Sequence, residues 1–306
     1  MGTRKKIFLF ISVLGLALLA WYLFVKTYDY QIHFSEKTAP GTLFYMVENW
    51  GLTLDKKNQL EILNTEKHHF SFIRQNLKIG DSLIRLDWSF ESKNDSITNI
   101  TVRATDMEHS MATRIKNLYT DPPLKKIFLS KFSDFKASLD FHLKEHKVGI
   151  IEEVEIPKGF YAYVSTESPL PQKANTMIAE NSKIVSWLTE NKIKILDEPI
   201  LEVTSWDIEN DAIRFNFMFP IRETDSLPLH DEIKYKKYGG QKAIKTIFNG
   251  NYMISDRAWF ALYAYAERNK LEIEERPVEF FFNNPMEGGN ALEWKAEAYL
   301  PLKLDQ

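Results

Sequence analysis

Glu297 stands in an alternating segment near the C-terminus, and its neighbours decide what it could do. Read as a strand, that segment puts Glu293, Lys295, Glu297 and Tyr299 on one face. Trp294, Ala296, Ala298 and Leu300 fall on the other, a small and apolar set suited to packing under a helix. Glu297 is then left facing away from the core. A buried carboxylate without a partner has a raised pKa. Such a group either pairs with a cationic, aromatic ligand or serves as a general acid or base. Aromatic rings supply the complementary surface for organic cations. Tyr161, Tyr163, Trp206, Tyr252, Trp259 and Tyr263 are the candidates, beside Tyr299. Each also reads as plain core, Trp259 and Tyr263 above all, since they sit four apart on an expected helix. Glu297 in turn also reads as an exposed strand glutamate or as a salt bridge to Lys295 or Arg214.

Other chemistry is thinly represented. The sequence has no cysteine, so disulfides, thiolate catalysis and cysteine-based zinc sites are excluded. His142 and His146 have the spacing of metal ligands on one helix face, but two ligands make an incomplete site. With Glu145 beside them in a Lys-rich amphipathic stretch, a solvated face is expected and no metal site or cofactor is assigned. The net charge of -3 carries no broad basic excess, and no helix-turn-helix is recognisable, so no nucleic-acid partner is expected.

Arg4, Lys5 and Lys6 precede an uncharged run from Ile7 to Val25. That run makes about 28 Å of helix at ~1.5 Å per residue, close to the bilayer core. Trp21 and Tyr22 lie near its far end, where amphipathic rings favour the interface. A cleavable signal would have a shorter apolar run and a small-x-small site. Residues 1–27 are therefore expected to be an uncleaved single-pass anchor. Its basic flank is expected to keep the N-terminus cytoplasmic and the bulk outside the cytoplasm, which for a bacterial inner membrane is the periplasmic side if the cell is Gram-negative.

Between residues 28 and 150 the alternation Tyr28, Tyr30, Ile32, Phe34 predicts a strand. Ala39-Pro40-Gly41 breaks it, and Leu43 to Trp50 reads as a short helix. Strands are expected at about 59–64, 68–77, 82–92, 96–106 and 110–118, with turns at Gly80-Asp81 and Lys93-Asn94-Asp95. Ile127, Phe128, Phe132, Phe135, Leu139 and Leu143 then predict a long helix over 124–146. This order, with Trp50 closing the first helix, resembles the START-like (polyketide-cyclase-like, SRPBCC) fold over roughly 28–146. The resemblance implies a curved antiparallel sheet over a long helix and a cavity for lipids or other apolar molecules. No catalytic set is legible in this half, and His68 and His69, adjacent on a strand, would face opposite ways.

Residues 151–306 contain an internal repeat. Asn191 to Ile200 matches Asn269 to Val278, and the preceding helices correspond through Ile184, Trp187, Leu188 and Leu262, Tyr265, Ala266. Each copy, about 155–221 and 240–303, reads strand, helix, strand, strand and closes on a proline, Pro220 or Pro301. The helices are expected at about 173–190 and 255–268, with Ser255-Asp256 capping the second. Two such units packing about a pseudo-twofold would bury their apolar edges and faces. Glu297 would then face the shared groove. Asn216 holds the corresponding place in the first copy, so the groove carries one carboxylate and one amide. Gly239-Gly240 reads as a turn, and Lys234 to Lys237 as a solvated linker.

Three segments of the second copy are similar to the gyrase-inhibitor-like, or effector-binding, small-molecule-binding domain. They are Asp256-Arg-Ala-Trp259-Phe-Ala-Leu262-Tyr263, Glu279-Phe-Phe-Phe-Asn283-Asn284-Pro285 and Ala296-Glu297-Ala298-Tyr299-Leu300-Pro301. In the family they read approximately Trp-x-x-Leu, Glu-x-Tyr-x-Asn-Asp-Pro and Thr-Glu-Ile-Tyr-Ile-Pro. Asn284 and Phe281 depart from that pattern. The resemblance implies that Glu297 is the pocket carboxylate. The fold class expected is thus α+β: a transmembrane helix, a START-like domain, and a duplicated β-α-β-β effector-binding domain. The function expected is a membrane-anchored sensor or carrier of a small organic ligand, cationic or lipid-like. Two alternatives stand beside it: a hydrolase using Glu297 with Tyr263 or Tyr252, and a protein-interaction module with an unnamed partner.

Overall fold

The structure is a computed structural model and describes residues 2–53, 60–79 and 82–303. The apolar run is helix α1 (Thr3–Ala20), continued by one wider turn through Trp21–Val25, with no buried residue. Thr3–Val25 is long and apolar enough to cross a membrane. The chain divides into two compact units, the first including this helix and ending at Leu139 and the other running from Asp140 onward, with Thr38–Thr42 and Asn94–Ser96 grouped with the second.

The first unit is an antiparallel sheet closed by a helix. Its elements are β1 (Tyr30–Glu36), α2 (Pro40–Thr53), β2 (Leu60–His68), β3 (Phe72–Ile79), β4 (Ser82–Asn94), β5 (Ile97–Asp106), α3 (Ser110–Lys116) and α4 (Pro123–His142). The strands lie in the order β1-β5-β4-β3-β2. Alternation builds the core: Ile84, Leu86, Trp88 and Phe90 of β4 are buried, as are Ile100, Val102 and Ala104 of β5. Rings of α4 cover that face. Phe135 meets Trp88 at 5.1 Å between ring centres, and Phe132 meets Phe34 at 5.2 Å. Trp50, from α2, closes on Phe135 at 5.4 Å.

Three expectations for this unit are corrected. The stretch 110–118 holds helix α3, not a strand. Asp106 causes the change: its Oδ1 accepts the backbone N–H groups of Glu108 (3.1 Å) and His109 (2.8 Å), ending β5 in a turn. Next, β2 runs on to His68, and the hairpin turn falls at His69–Ser71, where Phe70 takes a left-handed conformation. His69 is therefore in a turn and not on the strand with His68. Finally, α4 stops at His142, four residues short of its expected end. The turn expected at Gly80-Asp81, and the first residue of the strand expected from 59, lie outside the described residues.

The second unit is a nine-stranded antiparallel sheet with helices on one face. Its elements are β6 (His146–Val148), β7 (Glu152–Glu155), β8 (Gly159–Pro169), α5 (Lys173–Glu190), β9 (Ile200–Asp207), β10 (Ala212–Pro220), β11 (Lys234–Tyr238), β12 (Lys242–Gly250), α6 (Asp256–Asn269), β13 (Val278–Phe281) and β14 (Lys295–Pro301). The strand order is β11-β8-β10-β9-β13-β14-β12-β6, with β7 also on β12. Ile184 and Leu188 of α5 and Trp259 and Leu262 of α6 are fully buried. Beneath the helices lie the alternate residues Phe215, Phe217, Ala296 and Ala298. Lys234 to Lys237, expected to be a solvated linker, belongs to β11, an edge strand paired with β8. Its lysines suit an edge that must not pair with another chain, and they send Lys236 inward.

Two chain crossings meet on the face away from the helices. Ile156 N–H donates to Gln241 O (3.0 Å), and Gly240 N–H donates to Ile156 O (2.7 Å). Gly239 has φ +101°, and a Cβ there would stand 2.0 Å from the Pro157 carbonyl oxygen. Gly239 is therefore required by close backbone approach as well as by the turn, and Gly240 by its φ of +92°.

The histidine pair is a further correction, because both rings are enclosed rather than solvated. His142 Nε2 accepts a hydrogen bond from Arg257 Nε (3.1 Å), and Arg257 Nη1 donates to Asp256 Oδ2 (2.6 Å). The His146 ring lies 5.1 Å from that of His142. Burial, with the Arg257 charge next, pushes His142 down to about 3 and His146 down to about 4. Both rings are thus neutral in the folded protein. As pH falls below the ordinary value of 6.5, the unfolded chain takes up protons that the folded chain refuses. Stability should therefore fall from there to about pH 4, by about 1.4 kcal/mol per pH unit for each ring. Denaturation midpoints measured across that range check this. In His142→Gln the pH slope should be roughly halved, and a slope equal to that of the parent protein would count against the assignment.

Candidate functional site

The sheet face turned away from α5 and α6 carries the polar groups. β14 aims Lys295, Glu297 and Tyr299 at this face, as its alternation predicts. Glu297, however, is not a lone acid. Tyr299 Oη donates to its Oε2 (2.6 Å), Lys295 Nζ donates to its Oε1 (2.8 Å), and Lys245 Nζ stands 3.9 Å away on β12. Burial acts to raise the Glu297 pKa, but the hydrogen bonds from Lys295 and Tyr299 and the Lys245 charge outweigh it, and the net shift is downward. The raised pKa expected for an unpartnered carboxylate is corrected accordingly. Tyr299 is pushed up, first by burial and then by Glu297.

Asn216, on β10, leads to a second carboxylate that sequence reasoning missed. Its Nδ2 donates to Glu202 Oε2 (2.6 Å), and its Oδ1 accepts from Ser165 Oγ (2.7 Å). Glu202 on β9 also accepts from Lys236 Nζ. That ammonium lies 5.1 Å from the centre of the Tyr163 ring and 5.0 Å from that of Tyr238. A cation is thus held against a carboxylate between two tyrosine faces. Burial, then Glu202, pushes the Tyr238 pKa up. A cleft of about 260 Å³ opens beside this group, lined by Glu202, Thr204, Tyr238, Gln241, Glu274 and Arg276 among others. Tyr161 is buried in an apolar cluster with Ile156, Ile200, Met218, Val278 and Tyr299, against which Tyr163 and Tyr238 pack.

The remaining candidates lie on the helix side of the sheet. Trp259 is fully buried, and its ring meets that of Trp206 at 5.7 Å. Tyr263 lies 6.4 Å from Trp206 and donates to Glu275 Oε1 (3.4 Å). Tyr252 stacks near Phe281 at 4.7 Å and donates to the Lys295 carbonyl (2.7 Å). Burial, before any neighbouring charge, pushes Tyr252 and Tyr263 up to about 12. The structure therefore gathers Glu297, Tyr299, Asn216, Tyr161 and Tyr163 on one face and separates them from Trp259, Trp206, Tyr263 and Tyr252. Ser255, expected as a cap, makes no side-chain capping bond. Its hydroxyl donates to Tyr252 O (3.0 Å) and accepts from Lys173 Nζ (2.6 Å).

A signal for Glu202 does exist in the sequence. It interrupts the apolar run Ile200-Leu201-Glu202-Val203, as Glu279 interrupts Val278-Glu279-Phe280-Phe281. A charge inside a buried strand needs a partner. What the sequence lacks is the partner's address.

Residues 151–303 match the family model of the GyrI-like small molecule binding domain. The chain belongs to this family. No curated protein matches the chain. The EcmrR C-terminal domain is 14% identical at a TM-score of 0.41, covering 52% of this chain and 99% of that one. SAV2435 bound to tetraphenylphosphonium is 8% identical at a TM-score of 0.35, covering 50% and 94%. A hydrolase from Listeria innocua is 11% identical at a TM-score of 0.33, covering 50% and 91%. The GyrI-like domain of this chain comprises β7 through β14, so the two carboxylates, the lysines and the tyrosines of the open face all fall inside it.

Proposed function

We propose that this protein is a membrane-anchored small-molecule binder, a sensor or carrier. Its apolar or cationic aromatic ligand binds on the open sheet face where two repeats meet, about 155–221 and 240–303. One observation carries the reading: the Lys236 ammonium rests on Glu202 between the Tyr163 and Tyr238 rings. A carboxylate with aromatic walls is the recognition chemistry of an organic cation, and here the chain's own lysine occupies it. A ligand would displace Lys236 and enlarge the cleft beside Tyr238. The repeat reading is supported by matched details. Lys192 and Lys270 both take left-handed φ after α5 and α6, and the bridges Ile195–Ile221 and Ile273–Leu302 close each half alike. For the first unit we infer a START-like domain, supported by its five-stranded antiparallel sheet under α4. The anchor reading, with the bulk outside the cytoplasm, rests on the apolar helix and the basic residues before it.

The test is thermal unfolding of the full chain in lipid nanodiscs, followed by tryptophan fluorescence, with tetraphenylphosphonium as the probe. Glu202→Gln should abolish stabilisation by the probe. Lys236→Met should tighten apparent binding about tenfold, which is about 1.4 kcal/mol. An identical response in the parent and both variants would remove this face as the site.

The hydrolase reading has one observation behind it, the Tyr299 hydroxyl on Glu297. The partner is thus Tyr299 and neither Tyr263 nor Tyr252. With Lys295 and Lys245 beside it, Glu297 is held as a carboxylate, and Tyr299 is a weakened acid. Such a pair favours charge recognition over proton transfer near neutral pH.

A further inference from the structure

Helix α3 is turned inside out for a water-soluble element. Its polar Thr113 and Arg114 are buried, while its Met111 and Ile115, and Leu118 in the turn that follows it, are 49, 39 and 57% exposed. These three follow at i, i+4 and i+7 and form one stripe. Met107 and Tyr119, also exposed, extend it at both ends. Exposed Lys116 and Lys126 lie nearby in sequence. A contiguous exposed apolar stripe marks an interaction surface, and here its surroundings name the occupant.

The stripe is fastened to the point where the apolar helix ends. Arg114 Nε donates to Asp29 Oδ1 (2.9 Å), and its Nη1 donates to the Leu23 carbonyl (3.2 Å). Tyr22 Oη donates back to the Arg114 carbonyl (3.4 Å), and Ser110 Oγ donates to Asp29 (2.5 Å). The Arg114–Asp29 ion pair is buried, so this joint is not a loose linker. Lys26 then folds its ammonium over the rings of Tyr22 and Tyr28, 4.8 and 4.5 Å from their centres. An apolar stripe bolted to the last turn of a membrane-spanning helix sits at the depth where that helix leaves the bilayer. Amphipathic elements at that depth bury their apolar side in the headgroup and acyl boundary, with lysines reaching the headgroups.

We propose that Met111, Ile115 and Leu118 dock the first unit onto the bilayer surface, so that it is held against the membrane rather than hung from it. The inference rests on the anchored reading above. Because the chain has no cysteine, a single introduced one gives an unambiguous label. The full chain carrying Met111→Cys, Ile115→Cys or Leu118→Cys is labelled with the fluorophore NBD. It is then placed in nanodiscs of phosphatidylcholine and phosphatidylglycerol, with and without lipids bearing a nitroxide. Leu14→Cys, within the apolar helix, and Glu91→Cys, on an exposed strand position, serve as references. The labels at positions 111, 115 and 118 should be blue-shifted and lose fluorescence to the nitroxide, as at Leu14 and unlike Glu91. Labels at these three positions that behave like Glu91 while Leu14 is quenched would overturn the docking and leave the anchor standing. Failure of quenching at Leu14 itself would overturn the anchor and the docking with it.

Discussion

Lys173→Met should destabilise the protein by about 3–5 kcal/mol, the range for a buried ion pair that loses one member. Lys173 opens α5 and Glu279 lies on β13, and their side chains are 1 and 0% exposed. The ammonium donates to Glu279 Oε2 (2.9 Å) and to Ser255 Oγ (2.6 Å), and stands 4.4 Å from the centre of the Trp259 ring. Glu279 Oε1 has no hydrogen-bond partner among the described residues. Methionine keeps the length and packing of the lysine stem, so the loss isolates the charge. It leaves a carboxylate in a dry site, where ionisation is heavily penalised. The double variant Lys173→Met/Glu279→Leu removes both charges and should recover most of the loss, because well-packed apolar replacements of buried pairs are often neutral or stabilising. Denaturant midpoints of parent, single and double variants decide it. A single variant as stable as the parent, or a double variant no better than the single, would refute the pair's role. The bond ties α5 to β13, across the seam where β9 meets β13, so it fixes the sheet whose far face carries Glu202 and Glu297.

Trp259→Ala should cost a similar amount, about 3–5 kcal/mol, through the cavity it leaves between α6 and the sheet. Trp259 is completely buried against Trp206, and its indole N–H has no acceptor among the described residues. Trp259→Phe should therefore be mild, under about 1.5 kcal/mol, since the ring contact largely survives and an unsatisfied donor disappears. At a temperature where both variants remain folded, their response to tetraphenylphosphonium should equal that of the parent. A selective loss of that response, with stability preserved, would move Trp259 from the core into the ligand site. The same comparison separates the two halves of the aromatic set, because Trp206, Tyr252 and Tyr263 share the helix side with Trp259.

Much of this protein was written locally. Strand alternation is a property of the backbone, so the sequence alone put Glu297 and Tyr299 opposite Ala296, Ala298 and Leu300. The apolar run of α1 and the bounds of α5 and α6 were legible for the same reason, since helical periodicity needs no distant partner. The stretch 110–118 was misread because it carries both periods weakly, and a side chain outside it, Asp106, chose the helix. Partnership was decided only by the tertiary structure. Lys236 reaches Glu202 from an edge strand that looked like a linker, and Lys245 comes to Glu297 from a neighbouring strand. The Lys245 charge adds to the hydrogen bonds that Lys295 and Tyr299 make from the same strand, and together they lower the Glu297 pKa against burial. Placement of Trp259 and Tyr263 also waited on the fold, because a helix can lie on either face of a sheet. Electrostatic pairing acts through space over a few ångströms, and distance along the chain carries no record of it.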